Sequence, residues 1–141
     1  MKQTTSAQIV TANIELEFVG NEAEVTSIPA ELVYDPADPF AVTMVCQTAE
    51  GEVLWTFGRE LLLEGRHEPV GDGDVHVWPC LSSDGSAVVI IELCSPDGEL
   101  LVQAGSRNVT RFVQGMLESV PDGEESAFVD FDDELAQILA D

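Results

Sequence analysis

Basic residues are scarce in this chain. Its 141 residues include 27 acidic side chains but only five lysines and arginines, which gives a formal net charge of −22. A charge of this size repels phosphate backbones and anionic membrane surfaces over about a Debye length. The composition therefore argues against nucleic acid or a membrane surface as a partner.

Long apolar runs, paired cysteines and export signals are also missing. No run approaches the roughly 18 apolar residues of a membrane-spanning helix. The N-terminus MKQTTSAQIV has no apolar segment that would mark the chain for export. Cys46, Cys80 and Cys94 are an odd number without CxxC spacing, which is typical of reduced, buried thiols. These features predict a cytoplasmic protein that does not insert into a membrane.

The sequence contains no recognisable catalytic or metal-binding motif, such as GxSxG or HExxH. His76 is more simply explained as a half-exposed strand residue beside Trp78 than as a general base. The acidic stretches 71–74 and 130–134 do not fit a calcium loop, so we expect them to shape a turn and to cap a helix. The chain is predicted to be no enzyme and to have no catalytic residue, cofactor or metal. A pocket joining His76 to distant carboxylates would indicate otherwise.

Alternating and apolar runs predict about seven strands, joined mainly as antiparallel hairpins. Asp35-Pro36 and Asp38-Pro39 predict an extended corner between two of the strands, because each proline restricts the residue before it. Ser95-Pro96-Asp97-Gly98 matches a type I turn. The predicted strands are 10–18, 28–35, 40–48, 52–58, 75–79, 87–94 and 99–105.

Three helical segments are predicted between and after these strands. Residues 59–65 form a short helix that Gly65 stops, and Ser106 is the expected N-cap of an amphipathic helix. A C-terminal helical segment is predicted from Phe131 to Leu139. The whole chain, 1–141, is therefore expected to form one α+β domain. The apolar stripe expected on the amphipathic helix consists of Val109, Phe112, Val113, Met116, Leu117 and Val120.

Five sequence blocks carry a resemblance to a known family. They are VYDPADPFAV, VLWTFGRELLLEG, GDGDVHVWP, CSPDGELL and FVDFDDELAQIL. Their order and spacing, from about Val10 to Leu139, resemble the SsgA-like family of actinomycete sporulation and cell-division proteins, most of all its SsgB branch. The matching motif positions, which mostly read as packing and turn residues, are Tyr34, Asp35, Asp38, Pro39, Trp55, Arg59, Leu61, Gly65, Trp78, Pro79, Pro96 and Gly98.

The resemblance implies a fold and a function. The implied fold is a curved, barrel-like antiparallel sheet with packed helices, similar in topology to the Whirly proteins and assembled as a homotrimer. The implied function is that of a non-enzymatic adaptor concentrated at division septa, which marks septum sites and recruits the tubulin-like protein FtsZ together with a second SsgA-like protein. The Whirly likeness leaves single-stranded DNA or RNA binding as the alternative, which five basic residues against 27 acidic ones oppose.

An acidic partner would be bound through apolar anchors and the few basic groups. The candidate partner-binding residues are Arg59, Arg66, Trp78 and His76. A simpler alternative for the two arginines is pairing with nearby Glu60, Glu64 or Glu68.

Residues 87–94 and 99–105 are apolar on both faces, which predicts cover by helices or by another subunit. These strands are therefore the expected contact surface of the homotrimer. Because copies of charge −22 repel each other, we expect salt to strengthen the assembly.

Overall fold

In the part of the chain that the structure describes, eight strands form one antiparallel sheet, and two α-helices pack against it. The computed structural model describes residues 8–19, 27–96 and 98–129. The strands are β1 (Val10–Phe18), β2 (Ser27–Tyr34), β3 (Ala41–Thr48), β4 (Gly51–Gly58), β5 (Val70–Asp72), β6 (Val75–Leu81), β7 (Ala87–Ser95) and β8 (Gly98–Gly105). The helices are α1 (Arg59–Gly65) and α2 (Ser106–Ser119), and a 3-10 turn follows at Glu125–Phe128.

The sheet consists of two four-stranded meanders joined side by side. Its strand order is β4-β3-β2-β1-β8-β7-β6-β5. The meanders meet between β1 and β8, where Glu17 lies opposite Gln103 and Phe18 lies opposite Val102. The two edge strands, β4 and β5, do not pair with each other, so the sheet is an open, curled half-barrel. This confirms the predicted curved antiparallel α+β fold.

The strand count is eight because residues 70–72, which overlap the acidic stretch 71–74 that was expected only to shape a turn, form β5. Val70 pairs with Val77, and Asp72 pairs with Val75. A run of only three residues with two polar or glycine positions has no alternation to detect. The expected turn at Asp72 and Asp74 is confirmed, since it connects β5 to β6.

One apolar core lies on the inner face of the curled sheet. Phe57 of β4 and Val77 of β6 belong to the same buried cluster although they come from opposite ends of the strand order. The sheet therefore wraps around its core. Leu62 of α1 and Phe112 of α2 also belong to this cluster, which places both helices on the inner side.

Strand β7 is buried on both of its faces, as its composition predicts. Val89 and Ile91 belong to the inner core, whereas Val88 and Ile90 point to the outer face by strand alternation. These two outer residues are 6% and 4% exposed within the single chain. They are therefore not an open surface for another subunit, which corrects part of the expected assembly surface.

Helix α2 confirms the predicted amphipathic stripe but begins differently. Its N-cap is Gly105, which has no side chain to cap the helix, and Ser106 is the first helical residue. The predicted capping role of Ser106 is wrong because the extended conformation already ends one residue earlier. The stripe residues Val109, Phe112, Val113, Met116 and Val120 are buried, and Leu117 is partly buried.

Helix α1 covers the predicted residues, but Gly65 has a different role from the expected one. The residue after it, Arg66, is right-handed helical, so Gly65 is not a left-handed stop. A Cβ atom at Gly65 would overlap the Cβ and Cγ1 atoms of Val77. Gly65 is thus required for the close approach of α1 to β6.

The corner between β2 and β3 is built from turns rather than from extended chain. The amide of Ala37 donates to Asp35 Oδ1 over 2.9 Å, and the amide of Asp38 donates to the Asp35 carbonyl over 2.8 Å. Asp35 therefore folds the corner back on itself, as aspartate does in Asx turns. The predicted C-terminal helical segment, Phe131 to Leu139, lies outside the described residues.

Candidate interaction surfaces

Arg59 lies at the centre of a buried polar cluster. It is 1% exposed and forms an ion pair with Glu125, whose Oε2 atom is 2.9 Å from Arg59 Nη2 and 3.1 Å from Nε. Its Nη1 and Nη2 atoms also donate to the carbonyl oxygens of Val120 and Pro121 over 2.9 and 3.2 Å. The guanidinium therefore binds the chain that follows α2 to the start of α1.

Tyr34 connects this cluster to the Asp-Pro corner. Its hydroxyl donates to the Pro39 carbonyl over 2.9 Å and accepts a hydrogen bond from Arg59 Nη1 over 3.3 Å. The Arg59 guanidinium carbon lies 5.5 Å from the centre of the Tyr34 ring, within the range of cation–π contacts. Burial raises the pKa of the Tyr34 phenol above its ordinary value, so the hydroxyl stays protonated as a donor.

The Glu125 carboxylate is held in its charged form. A hydrogen bond from its own backbone amide, opposed by burial and reinforced by Arg59, lowers the pKa of the Glu125 carboxyl. The expectation that Arg59 reaches a partner is corrected by its burial. The alternative pairing with Glu60, Glu64 or Glu68 is also not the observed one, since the pairing residue lies 66 positions away.

His76 and Trp78 lie together on the outer face of β6. The inward residues Val75 and Val77 are buried in the core, so alternation places His76 and Trp78 on the opposite side. His76 Nδ1 is 3.3 Å from Glu92 Oε1, and the His76 side chain is 46% exposed. Trp78 is half-buried and pairs in register with Ile90. Both predicted residues are thus accessible on one strand.

The remaining arginines gather on the solvent side of α2. Arg66 donates from Nη1 to Thr110 Oγ1 over 3.4 Å and from Nε to the Leu63 carbonyl over 3.3 Å. Arg107 and Arg111 are exposed and line an open groove of about 520 Å³ with Thr110. We call Arg66, Arg107, Thr110, Arg111 and Gln114 the arginine face.

Sequence reasoning identified Arg66 but missed Arg107 and Arg111. Their signal was present, because they stand four positions apart on the polar side of a helix whose sole acid is Glu118. This pair was overlooked because the chain as a whole is strongly acidic. Among the described residues, neither Arg107 nor Arg111 has a carboxylate within ion-pairing distance.

The described thiols and carboxylates do not form a metal-binding cluster. No group of three or more histidine, cysteine, aspartate or glutamate side chains in the described ranges could hold a metal ion. Cys46 is buried as expected, whereas Cys94 is half-buried and Cys80 is exposed. The prediction of buried thiols is therefore wrong for Cys80, which faces outward at the end of β6. In the same ranges, no helix combines the length and apolar character needed to cross a membrane.

The described architecture, an open eight-stranded half-barrel around two helices, is shared with solved structures from one class of cell-division proteins. The family model described as Streptomyces sporulation and cell division protein, SsgA, matches residues 28–125. The chain belongs to this family, as its sequence blocks indicated. Its general role is accordingly in sporulation-associated cell division.

Relatives and solved structures agree with this assignment. The sporulation-specific cell division protein SsgB of Streptomyces coelicolor is 44% identical over 94% of this chain and 96% of its own length. An SsgB structure, from work on mutations and longitudinal division during sporulation of Streptomyces coelicolor, has a TM-score of 0.81 and 40% identity, covering 89% of this chain and 99% of that one. An SsgA-like sporulation-specific protein from Thermobifida fusca has a TM-score of 0.82 and 30% identity, covering 96% and 98%.

Proposed function

We propose that this chain is a non-enzymatic adaptor of sporulation-specific cell division, which marks septum sites and recruits the tubulin-like protein FtsZ. The observation that carries the proposal is its near full-length similarity to SsgB proteins. In this role the chain acts in the cytoplasm at division septa, with a second SsgA-like protein as a further partner.

Two accessible side chains support contact with another protein. Trp78 presents a half-buried ring on the outer face of β6, and His76 lies beside it on the same face. Tryptophan is enriched among residues that dominate binding energy, because a single ring can remove a large apolar area from water. We therefore propose the outer face of β6 as an FtsZ contact.

Cosedimentation with purified FtsZ polymers tests the recruitment step. Wild-type protein is expected to sediment with the polymers, and Trp78→Ala is expected to bind about tenfold more weakly. Leu81→Ala is the control, because Leu81 is 68% exposed at the end of the same strand. Circular dichroism must first show that both variants are folded. Wild-type protein that sediments no better than an unrelated acidic protein would reject the proposal.

A homotrimer is the proposed assembly, and β4 offers an edge for it. This strand is an edge of the sheet, has Glu52 as its single charged residue and exposes Leu54 by 59%. Such edges are templates for pairing between chains. Apolar contact is needed here because each copy carries a charge of −22 and repels the others.

Analytical ultracentrifugation at two salt concentrations tests the assembly. Added salt is expected to tighten it by screening the repulsion between copies. Leu54→Glu should weaken it more than Ala49→Glu, which adds the same charge in the exposed turn before β4. Tighter association at low salt than at high salt would contradict this assembly.

A further inference from the structure

The basic charge available on the described surface is confined to one place. Arg59 is buried in its ion pair, whereas Arg66, Arg107 and Arg111 adjoin Thr110 on α2. If the arginines were distributed at random among the 27 acidic residues, basic and acidic side chains would be interspersed on the surface. The described part of this chain instead keeps three guanidinium groups together, none of them in an ion pair with a described carboxylate.

These guanidinium groups have unused hydrogen-bonding capacity. Each guanidinium has five N–H donors, yet the side chains of Arg107 and Arg111 make no hydrogen bond or ion pair with any described residue. Arg66 has no carboxylate partner there, and its two hydrogen bonds are to a carbonyl and a hydroxyl at 3.3 and 3.4 Å. Within the described part of the chain, no carboxylate occupies the donors of the arginine face, which leaves them able to bind an incoming anion.

We infer that the arginine face is a docking site for an acidic segment of a partner protein. Arg107 and Arg111 are one helical turn apart, so their Cβ atoms lie about 6 Å from each other. Carboxylates at alternate positions of an extended peptide, or four positions apart on a helix, have nearly the same spacing. Each arginine can then bind one carboxylate through two N–H groups.

The surroundings of the site favour a protein over a nucleic acid. A nucleic acid presents a continuous row of phosphates, which the remaining charge of this chain repels along its length. Single-stranded nucleic acid also needs aromatic side chains on which its bases stack. The groove is lined instead by Ala87, Ser106, Arg107, Thr110, Arg111 and Gln114.

The site is distinct from the outer face of β6. Val109, Phe112, Val113 and Met116 turn inward to the core, so the arginine face is the opposite, solvent side of α2. Trp78 lies on the outer face of the sheet. The inference rests on the proposed adaptor role only in taking a protein as the partner.

Fluorescence anisotropy with a labelled glutamate-rich peptide tests the site. At about 0.15 M salt, charges more than about 8 Å away are screened, so the local arginines dominate the field. Wild-type protein is expected to bind the peptide, and Arg107→Gln/Arg111→Gln should bind it at least about tenfold more weakly. The single variant Arg111→Gln should lose more affinity than Ala49→Glu, which lowers the net charge equally in a distant turn.

Each outcome decides the inference. Failure of the wild-type protein to bind the peptide, or equal binding by the double variant, would overturn it. Tighter, arginine-dependent binding of a labelled single-stranded oligonucleotide would overturn it in favour of nucleic acid. FtsZ binding that is unchanged in the double variant, together with no peptide binding, would leave the recruitment proposal standing. Arginine-dependent peptide binding without FtsZ binding would support the arginine face as a docking site and reject the recruitment proposal.

Discussion

Arg59 and Arg111 are the same residue type in opposite surroundings. Arg59 is buried and donates to a carboxylate, a phenol oxygen and two backbone carbonyls. Arg111 is exposed, and its side chain has no hydrogen-bonding partner among the described residues. Burial, rather than residue type, therefore separates an arginine that maintains the fold from one that is available for binding.

Among the variants considered, Arg59→Met should lower the free energy of unfolding the most. This change leaves the Glu125 carboxylate and two carbonyls without their donor, and removal of one member of a buried ion pair costs about 3 kcal/mol. Arg111→Met should change the free energy of unfolding by less than about 0.5 kcal/mol. Urea denaturation followed by circular dichroism measures both values. Equal destabilisation by Arg59→Met and Arg111→Met would show that the two arginines do not differ in their contribution to the fold.

Glu125→Gln should have the next largest effect, about 2 kcal/mol at neutral pH, because the variant loses a hydrogen-bonded charge. The folded-state pKa of Glu125 is lowered from its ordinary value of 4.5. Its contribution is therefore fully present above pH 4.5 and is lost as the pH falls through the folded-state pKa.

The pH dependence of Glu125→Gln is best measured as a difference. Urea denaturation of the wild type and of the variant between neutral and acidic pH should show their stability gap closing below about pH 4.5. Subtraction cancels the titration of the other acidic residues, which both proteins share. A gap that is constant across this range would contradict the role of the Glu125 charge.

Arg59→Lys tests whether charge alone is enough. A lysine keeps the positive charge, but its single ammonium group cannot reproduce the planar set of donors that serves Glu125, Val120 and Pro121. We expect a loss of about 1 to 2 kcal/mol, smaller than for Arg59→Met. Thermal or urea unfolding of Arg59→Lys and Arg59→Met in parallel measures the stability of each variant. A lysine variant as stable as the wild type would show that geometry is unimportant here.

Thr110→Val should have the smallest effect. The Arg66–Thr110 hydrogen bond is 3.4 Å long and partly exposed, so its loss should cost less than about 0.5 kcal/mol. Peptide binding at the arginine face should fall by less than in Arg107→Gln/Arg111→Gln, because the guanidinium groups remain. Anisotropy and urea denaturation on the same samples check both statements. A large loss of stability would show that Arg66 maintains the fold, as Arg59 does, and is not simply available for binding like Arg111.

Much of the fold could be predicted because many of its elements depend on local sequence patterns. The β7–β8 hairpin, where Ser95 lies opposite Gly98, and the stripe on α2 depend on neighbouring residues, and the described residues confirm both. Asp97, the third residue of the predicted type I turn, lies outside the described residues. Strand β5 could not be predicted, since three residues show no periodicity and pair only because β6 is already in place.

The candidate surfaces were harder to predict than the fold. His76 and Trp78 could be placed on one face from strand alternation alone. Arg59 could not be placed, because its partner is 66 residues away and no local rule joins them. Arg107 and Arg111 are an i, i+4 pair in the sequence, but the net charge of −22 is a property of the whole chain and does not reveal a local basic surface.

Short segments and composition are enough to predict most of the described secondary-structure elements, the acidic charge and the family. Which arginine is buried and which three share a surface depends on the tertiary fold, because burial and pairing involve groups that are far apart in the chain. Only the curling of the sheet around α1 and α2 brings those groups together.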